Sequence, residues 1–457
     1  MKKLFIFLLC LLIILGVTAC GADDTVTSSS SENNSDISSE EDVETSSEIS
    51  SKDNKSSSSK KTTTSNQKVT STNKKPSDSS KTTTSSSKKY PVRQKNIFIR
   101  KSNKKYFKCI GRGDAAEVTS GITLNWSCAS VEFDVDCTGD LAVNFSKSSS
   151  ETLLYVEIYV DGKLLEERTK ISASGDFTIA TDLEPGVHRV KIVRQTDCEG
   201  PTLTLNKILA YGTLVQKAPE DRPLYIEAVG DSNLICWGIR LEDSFYTDFY
   251  SGTDEEKKAK QSKARNKENQ DGTLSYAYVA AEKLNADSYI FARQGAGIAA
   301  TYHKNSKGEA IPRSGLLPTM YEYCHTSGNN KYTTSRLPDI IVLDAGAADL
   351  VTGCLAAVKD GDKLGIDVDR ANEIAVEFLK NLKKNNPKVK IIWCYGLTNN
   401  SKAMEDYVLK GAKNAGGEAN GIYTLKLATS TRNGYPSAKE HLAASELLAN
   451  KIKQITK

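Results

Sequence analysis

Two different spacings of apolar residues divide the chain. From about residue 97 to 211, apolar and polar positions alternate in short runs at 130–135, 141–145, 153–160, 187–194 and 203–211. A period of two puts alternate side chains on one face of an extended segment, so each run predicts a half-buried strand. Thr138-Gly139, Asp161-Gly162 and Pro185-Gly186 separate the runs as turn signals, and no long helical period intervenes. The spacing predicts an antiparallel, jelly-roll-like β-sandwich over residues 96–216, with Trp126 and Tyr106 in its core.

Past the connector Ala218-Pro219-Glu220-Asp221-Arg222-Pro223 the period changes. Short apolar runs at 225–229, 288–292, 339–344 and 389–395 alternate with helical spacing at 276–284, 370–384 and 437–453. That alternation predicts a mostly parallel sheet with helices on both faces over residues 222–457. Ser437 and Glu440, three apart after Pro436, form a capping box for the last helix. Residues 252–271 are rich in Lys, Glu and Asp with no apolar face, and predict a solvated insertion.

The N-terminal residues have another pattern. Lys2 and Lys3, an apolar run over residues 4–17, and Thr18-Ala19-Cys20 make a secretory signal, too short for a comfortable membrane span. The small residues before Cys20 resemble a bacterial lipobox, which implies that Cys20 carries lipid and anchors an extracytoplasmic, surface-exposed protein to the cell membrane. Residues 21–95, mostly Ser, Thr, Lys and acidic side chains, lack the apolar surface to offset ordering entropy and predict a disordered linker. Roughly 70 residues of coil average about 45 Å end to end.

Charge and cysteine narrow the classes. Lys plus Arg number 61 against 57 Asp plus Glu, a balance that favours neither nucleic acid nor a strongly acidic partner. No C-x-x-C pair occurs, which speaks against a zinc site, and nothing in the sequence calls for another cofactor. Beyond Cys10 and Cys20, eight cysteines remain at 109, 128, 137, 198, 236, 324, 354 and 394. Disulfides and free buried thiols are both open.

Candidate chemistry begins where the run at 225–229 meets Gly230-Asp231-Ser232. A strand ending in such a turn delivers a small nucleophile to a helix N-terminus, whose N–H groups face a developing oxyanion. Further blocks accompany it. Ile110-Gly111-Arg112, Tyr159-Val160-Asp161-Gly162 and Pro185-Gly186-Val187-His188 precede it; Gln294-Gly295-Ala296-Gly297, Leu317-Pro318-Thr319-Met320-Tyr321 and Pro338-Asp339-Ile340-Ile341-Val342 follow. Together they resemble the acetylxylan esterases of carbohydrate esterase family two, a small β-sandwich followed by an SGNH (GDSL-type) hydrolase domain with a three-layer, flavodoxin-like parallel sheet.

The resemblance implies Ser232 as nucleophile and Gly295 as an oxyanion donor. It also exposes departures. Ala348 stands at the oxyanion asparagine of the family's G-x-N-D block, here Gly346-Ala347-Ala348-Asp349. Arg432 stands at the catalytic aspartate and Tyr435 at the catalytic histidine of the D-x-x-H-P block, here Arg432-Asn433-Gly434-Tyr435-Pro436. A phenol with an ordinary pKa near 10 can hydrogen-bond to a serine but does not readily accept its proton. Of the four histidines, His188 belongs to the sandwich, His441 to the last helix, and His303 to a polar loop; His325 is the fourth. Three functions are open: a carbohydrate-binding pseudo-esterase, with Trp237 as a stacking platform and Asp231 as a binding position; a weak or rearranged carbohydrate O-acetyl esterase; and a structural surface protein. The substitutions favour the first, with a polysaccharide or acetylated glycan and the membrane as partners.

The lipobox yields the first test. In Cys20→Ala, the protein is expected to leave the detergent-soluble membrane fraction or accumulate unprocessed, read by fractionation and immunoblot. Fully processed protein still on the membrane would refute lipidation at Cys20.

Overall fold

Nine antiparallel strands build the first half of the described structure: β1 Lys95–Phe98, β2 Lys108–Ile110, β3 Ile122–Leu124, β4 Ser130–Lys147, β5 Leu154–Val160, β6 Lys163–Leu164, β7 Thr169–Ile171, β8 Gly175–Arg194 and β9 Leu203–Leu214. The computed structural model describes residues 90–112, 120–149, 152–301, 315–324, 331–334, 336–350 and 368–457. The lipobox and nearly all of the Ser/Thr linker therefore lie outside the described residues. Hydrogen bonding joins all nine strands, in the order β1-β9-β4-β8-β5-β6 with β2 on β4, β3 on β9 and β7 on β5. Val131, Phe133, Val135 and Cys137 of β4 are all fully buried, as alternation requires. Trp126 is fully buried too, and Tyr106 packs against the same core.

Two of the three turn signals are not turns. Thr138-Gly139 lies inside the 18-residue strand β4. Gly139 has φ +68°, and the register with β8 shifts on either side of it, so the left-handed glycine makes a bulge that bends the strand without reversing it. Pro185 lies in the 20-residue strand β8, where the register passes from Leu183↔Gly139 to Gly186↔Cys137. Two residues there oppose one, the kind of position that tolerates a missing N–H. Asp161-Gly162 does reverse the chain, with φ +52° and +76°, the pair of positive values a type I′ hairpin demands.

The second half is a five-stranded parallel sheet of β10 Leu224–Gly230, β11 Ala286–Ala292, β12 Ile340–Asp344, β13 Lys390–Tyr395 and β14 Ile422–Lys426, in the order β11-β10-β12-β13-β14. This doubly wound order reverses direction at β10, so β11 and β12 flank it. Helices α1 Ser232–Ile235, α2 Asp254–Arg265, α3 Tyr276–Lys283, α4 Leu317–Met320, α5 Ala347–Asp349, α6 Val368–Asn385, α7 Lys402–Asn414 and α8 Ala438–Thr456 connect the strands. Val229, Ile341, Leu343 and Trp393 pack with α6 and α7 on one face; Ile226, Ala228, Val342 and Ile392 pack with α3 and α8 on the other. The Ser437–Glu440 capping box forms as the sequence predicts. Within the run predicted as a solvated insertion, residues 254–265 form a largely exposed helix, while Gln270 and Asp271 at the end of the run are buried against the rest of the protein. Thr253 and Glu256 close a second capping box, three acidic residues occupy the first turn and Lys263 and Arg265 the last, so end effects hold a helix that buries only Ala264.

The two halves are joined through buried charge. Arg112, fully buried, donates to Glu227 Oε1 of β10 at 2.9 Å, to the Tyr289 hydroxyl at 2.8 Å and to the carbonyls of Tyr321 and Tyr323. Its guanidinium lies over the rings of Phe291 and Tyr321 at 4.1 and 4.0 Å. Lys108 meets Asp287 at 2.7 Å, both side chains buried, and the Trp126 indole donates to the Cys324 carbonyl at 2.7 Å. Ser127 extends the parallel sheet by one bridge, its carbonyl accepting from Ile290 N–H at 2.9 Å.

On the opposite face of the sheet His441 of α8 seals the contact with α3. Its Nδ1 accepts the Tyr276 N–H at 3.2 Å, and Nε2 lies 3.6 Å from Cys236 Sγ. Burial pushes this imidazole down to about 4.

Arg112→Met should lower the unfolding free energy of the full chain by about 3–5 kcal/mol, because it strands Glu227 without a counter-charge. Urea denaturation reads this, and the added change Glu227→Leu should recover part of the loss; a single-variant loss under about 1 kcal/mol would contradict it. His441 sets a pH dependence. Between its ordinary value near 6.5 and its folded value, the unfolded chain binds a proton that the folded chain does not. Its contribution is complete above pH 6.5 and is lost as the pH falls toward 4, on the order of 3 kcal/mol in all. His441→Gln should remove that contribution, read as the difference between variant and wild-type stability across this window, because Asp231 and Asp344, raised by burial, titrate there with the opposite sign in both proteins. A difference that stays constant with pH would rule out His441.

Candidate active site

Ser232 stands where the sheet order reverses, at the carboxyl end of β10, the place open α/β sheets use for ligands. Gly230 makes the turn possible: it lies in register with Ala292 and Asp344, and a Cβ there would fall 2.1 Å from the Asp344 carbonyl oxygen. Asp231 then caps α1, its Oδ1 accepting from Asn233 N–H at 3.0 Å. Ser232 is half-buried at the first position of α1, and among the described residues its Oγ makes no hydrogen bond.

The adjoining strand ends bring in other predicted positions. Gly295 follows β11 with φ +62°, the left-handed conformation that glycine adopts without strain. The segment after it is held by Asp349, whose buried carboxylate accepts N–H groups from Ile298, Ala299 and Ala300 at 3.2, 2.7 and 2.7 Å and the Tyr407 hydroxyl at 3.1 Å. Ala348, one residue earlier on α5, is buried and has no side-chain donor to offer.

A pair of buried carboxyl groups underlies the serine. Asp344 accepts from the Tyr276 hydroxyl at 2.8 Å and from Asn233 Nδ2 at 3.4 Å, and Asn233 Nδ2 also reaches Thr398 Oγ1 at 3.0 Å. Burial pushes both Asp231 and Asp344 upward, and the Asp344 charge raises Asp231 further.

Tyr435 and Arg432 diverge. Tyr435 packs edge-on to Trp237 and Phe249, each with ring centroids 6.0 Å apart. Burial raises its hydroxyl, and the Arg265 guanidinium facing it pulls the other way. Arg432 turns aside to Asp243 (Nε to Oδ1, 2.8 Å) and the Leu241 carbonyl, over the Tyr246 ring at 4.3 Å. The cation against position 435 is therefore Arg265, not Arg432. Arg265 comes from the last turn of α2; sequence reasoning missed it because residues 252–271 read as a solvated charged run, in which nothing sets one arginine apart from its basic neighbours.

Trp237 is not an exposed platform. It is 4% exposed, its indole donates to Asp197 Oδ2 at 3.1 Å, and the Arg265 guanidinium covers its ring at 5.2 Å. An aromatic ring spent on packing two domains together has no open face for a sugar. Neither described histidine is a base for Ser232. His441 is committed to Tyr276 and Cys236, and His188 to Asp161 Oδ2 at 2.7 Å and the Glu184 carbonyl at 2.8 Å. His303, His325 and Cys354 lie outside the described residues. The seven described cysteines are free thiols, six of them buried, and among the described residues no group of three or more His, Cys, Asp or Glu side chains is placed to hold a metal ion.

Residues 109–219 match the family model for the carbohydrate esterase 2 N-terminal domain. Comparison with curated proteins gave no match. Among solved structures, a family two carbohydrate esterase from Clostridium thermocellum, in complex with cellohexaose, aligns with TM-score 0.61 and 19% identity over 77% of this chain and 99% of that one. A family two carbohydrate esterase from Cellvibrio japonicus aligns at 0.63 and 18% over 79% and 98%, and an acetyl xylan esterase from the rumen bacterium Butyrivibrio proteoclasticus at 0.61 and 18% over 80% and 99%. With its N-terminal domain matched to that family and its fold shared over 77–80% of its length with those enzymes, this chain resembles the two-domain SGNH hydrolases of carbohydrate esterase family two.

Proposed function

We propose that the chain is a membrane-tethered carbohydrate-binding protein that retains an acetyl-esterase fold without its proton-transfer chemistry. One observation carries this reading: Tyr435 faces a guanidinium where family-type catalysis needs an imidazole. Attack by a serine on an ester requires a group that takes the hydroxyl proton near neutral pH. A phenol shifted upward by burial does not, and the Arg265 charge beside it would disfavour any cationic base. Loss of the base costs on the order of 10⁶ in turnover, and loss of a side-chain oxyanion donor about 10²–10³, in the subtilisin case from which these magnitudes come. Ala348 adds the second loss to the first. The glycan part of the reading is supported by the fold likeness and by the cellohexaose held by the Clostridium thermocellum enzyme; the tether is supported by Cys20 and the linker composition.

The second reading, weak acetyl-ester hydrolysis at Ser232, is favoured by the intact strand-end turn and the left-handed Gly295. A single comparison separates the two. Full-length wild type and Ser232→Ala are expected to hydrolyse a small acetate ester at indistinguishable rates, while the wild type binds cello- or xylo-oligosaccharides by calorimetry. Serine-dependent turnover in the ordinary range of about 1–10³ s⁻¹ would make the protein an esterase instead.

A further inference from the structure

Arg265 differs from the other arginines around it. In residues 222–457, the described residues Arg222, Arg240, Arg293, Arg336, Arg370 and Arg432 each pair with a carboxylate. No such partner faces Arg265 among the described residues, and its Nε is buried without a hydrogen-bond acceptor. A buried donor left unpaired in this way costs about 1–3 kcal/mol or more, a cost that an incoming acceptor would relieve.

The surroundings fix what that acceptor should be. The guanidinium rests over Trp237, which is itself pinned by Asp197, so the fork is held at a set orientation. The Tyr435 hydroxyl is hydrogen-bonded to the guanidinium through its oxygen and keeps its O–H as a neutral donor. One fixed positive charge with a neutral hydroxyl beside it matches a planar monoanion with two oxygens, which a guanidinium fork binds with two parallel hydrogen bonds. A phosphate dianion would require a second cation. Asp231 and Asp344 oppose an anion with one charge rather than two, because burial and the Asp344 charge hold the Asp231 carboxyl well above the usual carboxylate range.

We infer that Arg265, with Tyr435, receives the carboxylate of a uronic acid residue, so that the glycan bound at this site is acidic. The inference rests on the carbohydrate-binding reading above and goes further by naming the ligand's charge. The site has exchanged a group that would move a proton for one that holds an anion.

The test uses full-length protein and calorimetry with two xylo-oligosaccharides of equal length, one bearing a glucuronic acid branch and one neutral. Wild type is expected to bind the acidic one at least about tenfold tighter, the value of a modest charge-assisted hydrogen bond. In Arg265→Gln the ratio should fall to near one, and in Arg265→Lys, which keeps the charge and loses the fork, it should fall part of the way. Unchanged thermal melting qualifies each variant, and the lysine variant decides alone if the glutamine variant does not fold. Equal affinity of wild type for both sugars would overturn the inference and leave glycan binding standing. Binding of neither would overturn the carbohydrate-binding reading and the inference with it. A preference that survives in a folded Arg265 variant would reassign the charge to another residue. Displacement by inorganic phosphate as effective as that by free glucuronate would show a general oxyanion site and overturn the assignment to a sugar acid.

Discussion

Glu227 lies in an inner strand of a parallel sheet, covered on both sides, and its carboxylate is tolerable there only with a cation beside it. That cation is Arg112, which comes from the other domain and is received on the Glu227 side by two ring faces and three further hydrogen-bond partners. The dependence runs both ways. Without the sandwich, β10 carries an uncompensated charge three residues from Gly230 and five from Ser232; without the α/β half, Arg112 has no environment that can hold a buried guanidinium. Lys108 with Asp287, and Trp126 with Cys324, repeat the arrangement in weaker form along the same seam.

Much of this architecture is written locally. Alternation identifies the sandwich strands because each has one buried face, and the near-continuous apolar runs identify β10 to β13 because both their faces are covered. The capping box at Ser437 is visible since both of its residues act within one helical turn. What escapes the sequence acts at a distance. Whether Thr138-Gly139 reverses a strand or only bends it depends on what β8 and β9 pair with on either side. The helix over residues 254–265 has no amphipathic stripe to announce it and survives on its end charges. The site follows the same division. Gly230-Asp231-Ser232 is legible because a sharp turn needs its glycine next to the Asp344 backbone, whereas Arg265 is some thirty residues away in sequence and reaches Tyr435 only through the path of α2.

The presence of the turn and the presence of a tyrosine at position 435 have separate physical origins. Gly230 is demanded by the close approach of two strands, and Asp349 by the three N–H groups it satisfies; both would be kept by a fold that performs no chemistry. An imidazole at position 435 carries no comparable packing duty, and a tyrosine fills the volume among Trp237 and Phe249. Motif survival in such a domain therefore reports on sheet geometry first and on reactivity second.

The bridge between Ser127 and Ile290 has a consequence for the protein in company. An open edge strand offers unpaired N–H and C=O groups to any neighbouring chain, and β11 is an outer strand of the parallel sheet. Placing the sandwich backbone on that edge at Ile290 removes a template at the middle of the strand, where register with a stranger would otherwise be set. The protein thus gains, at any high local concentration, a guard against edge-to-edge polymerisation from the same contact that fixes its two halves together.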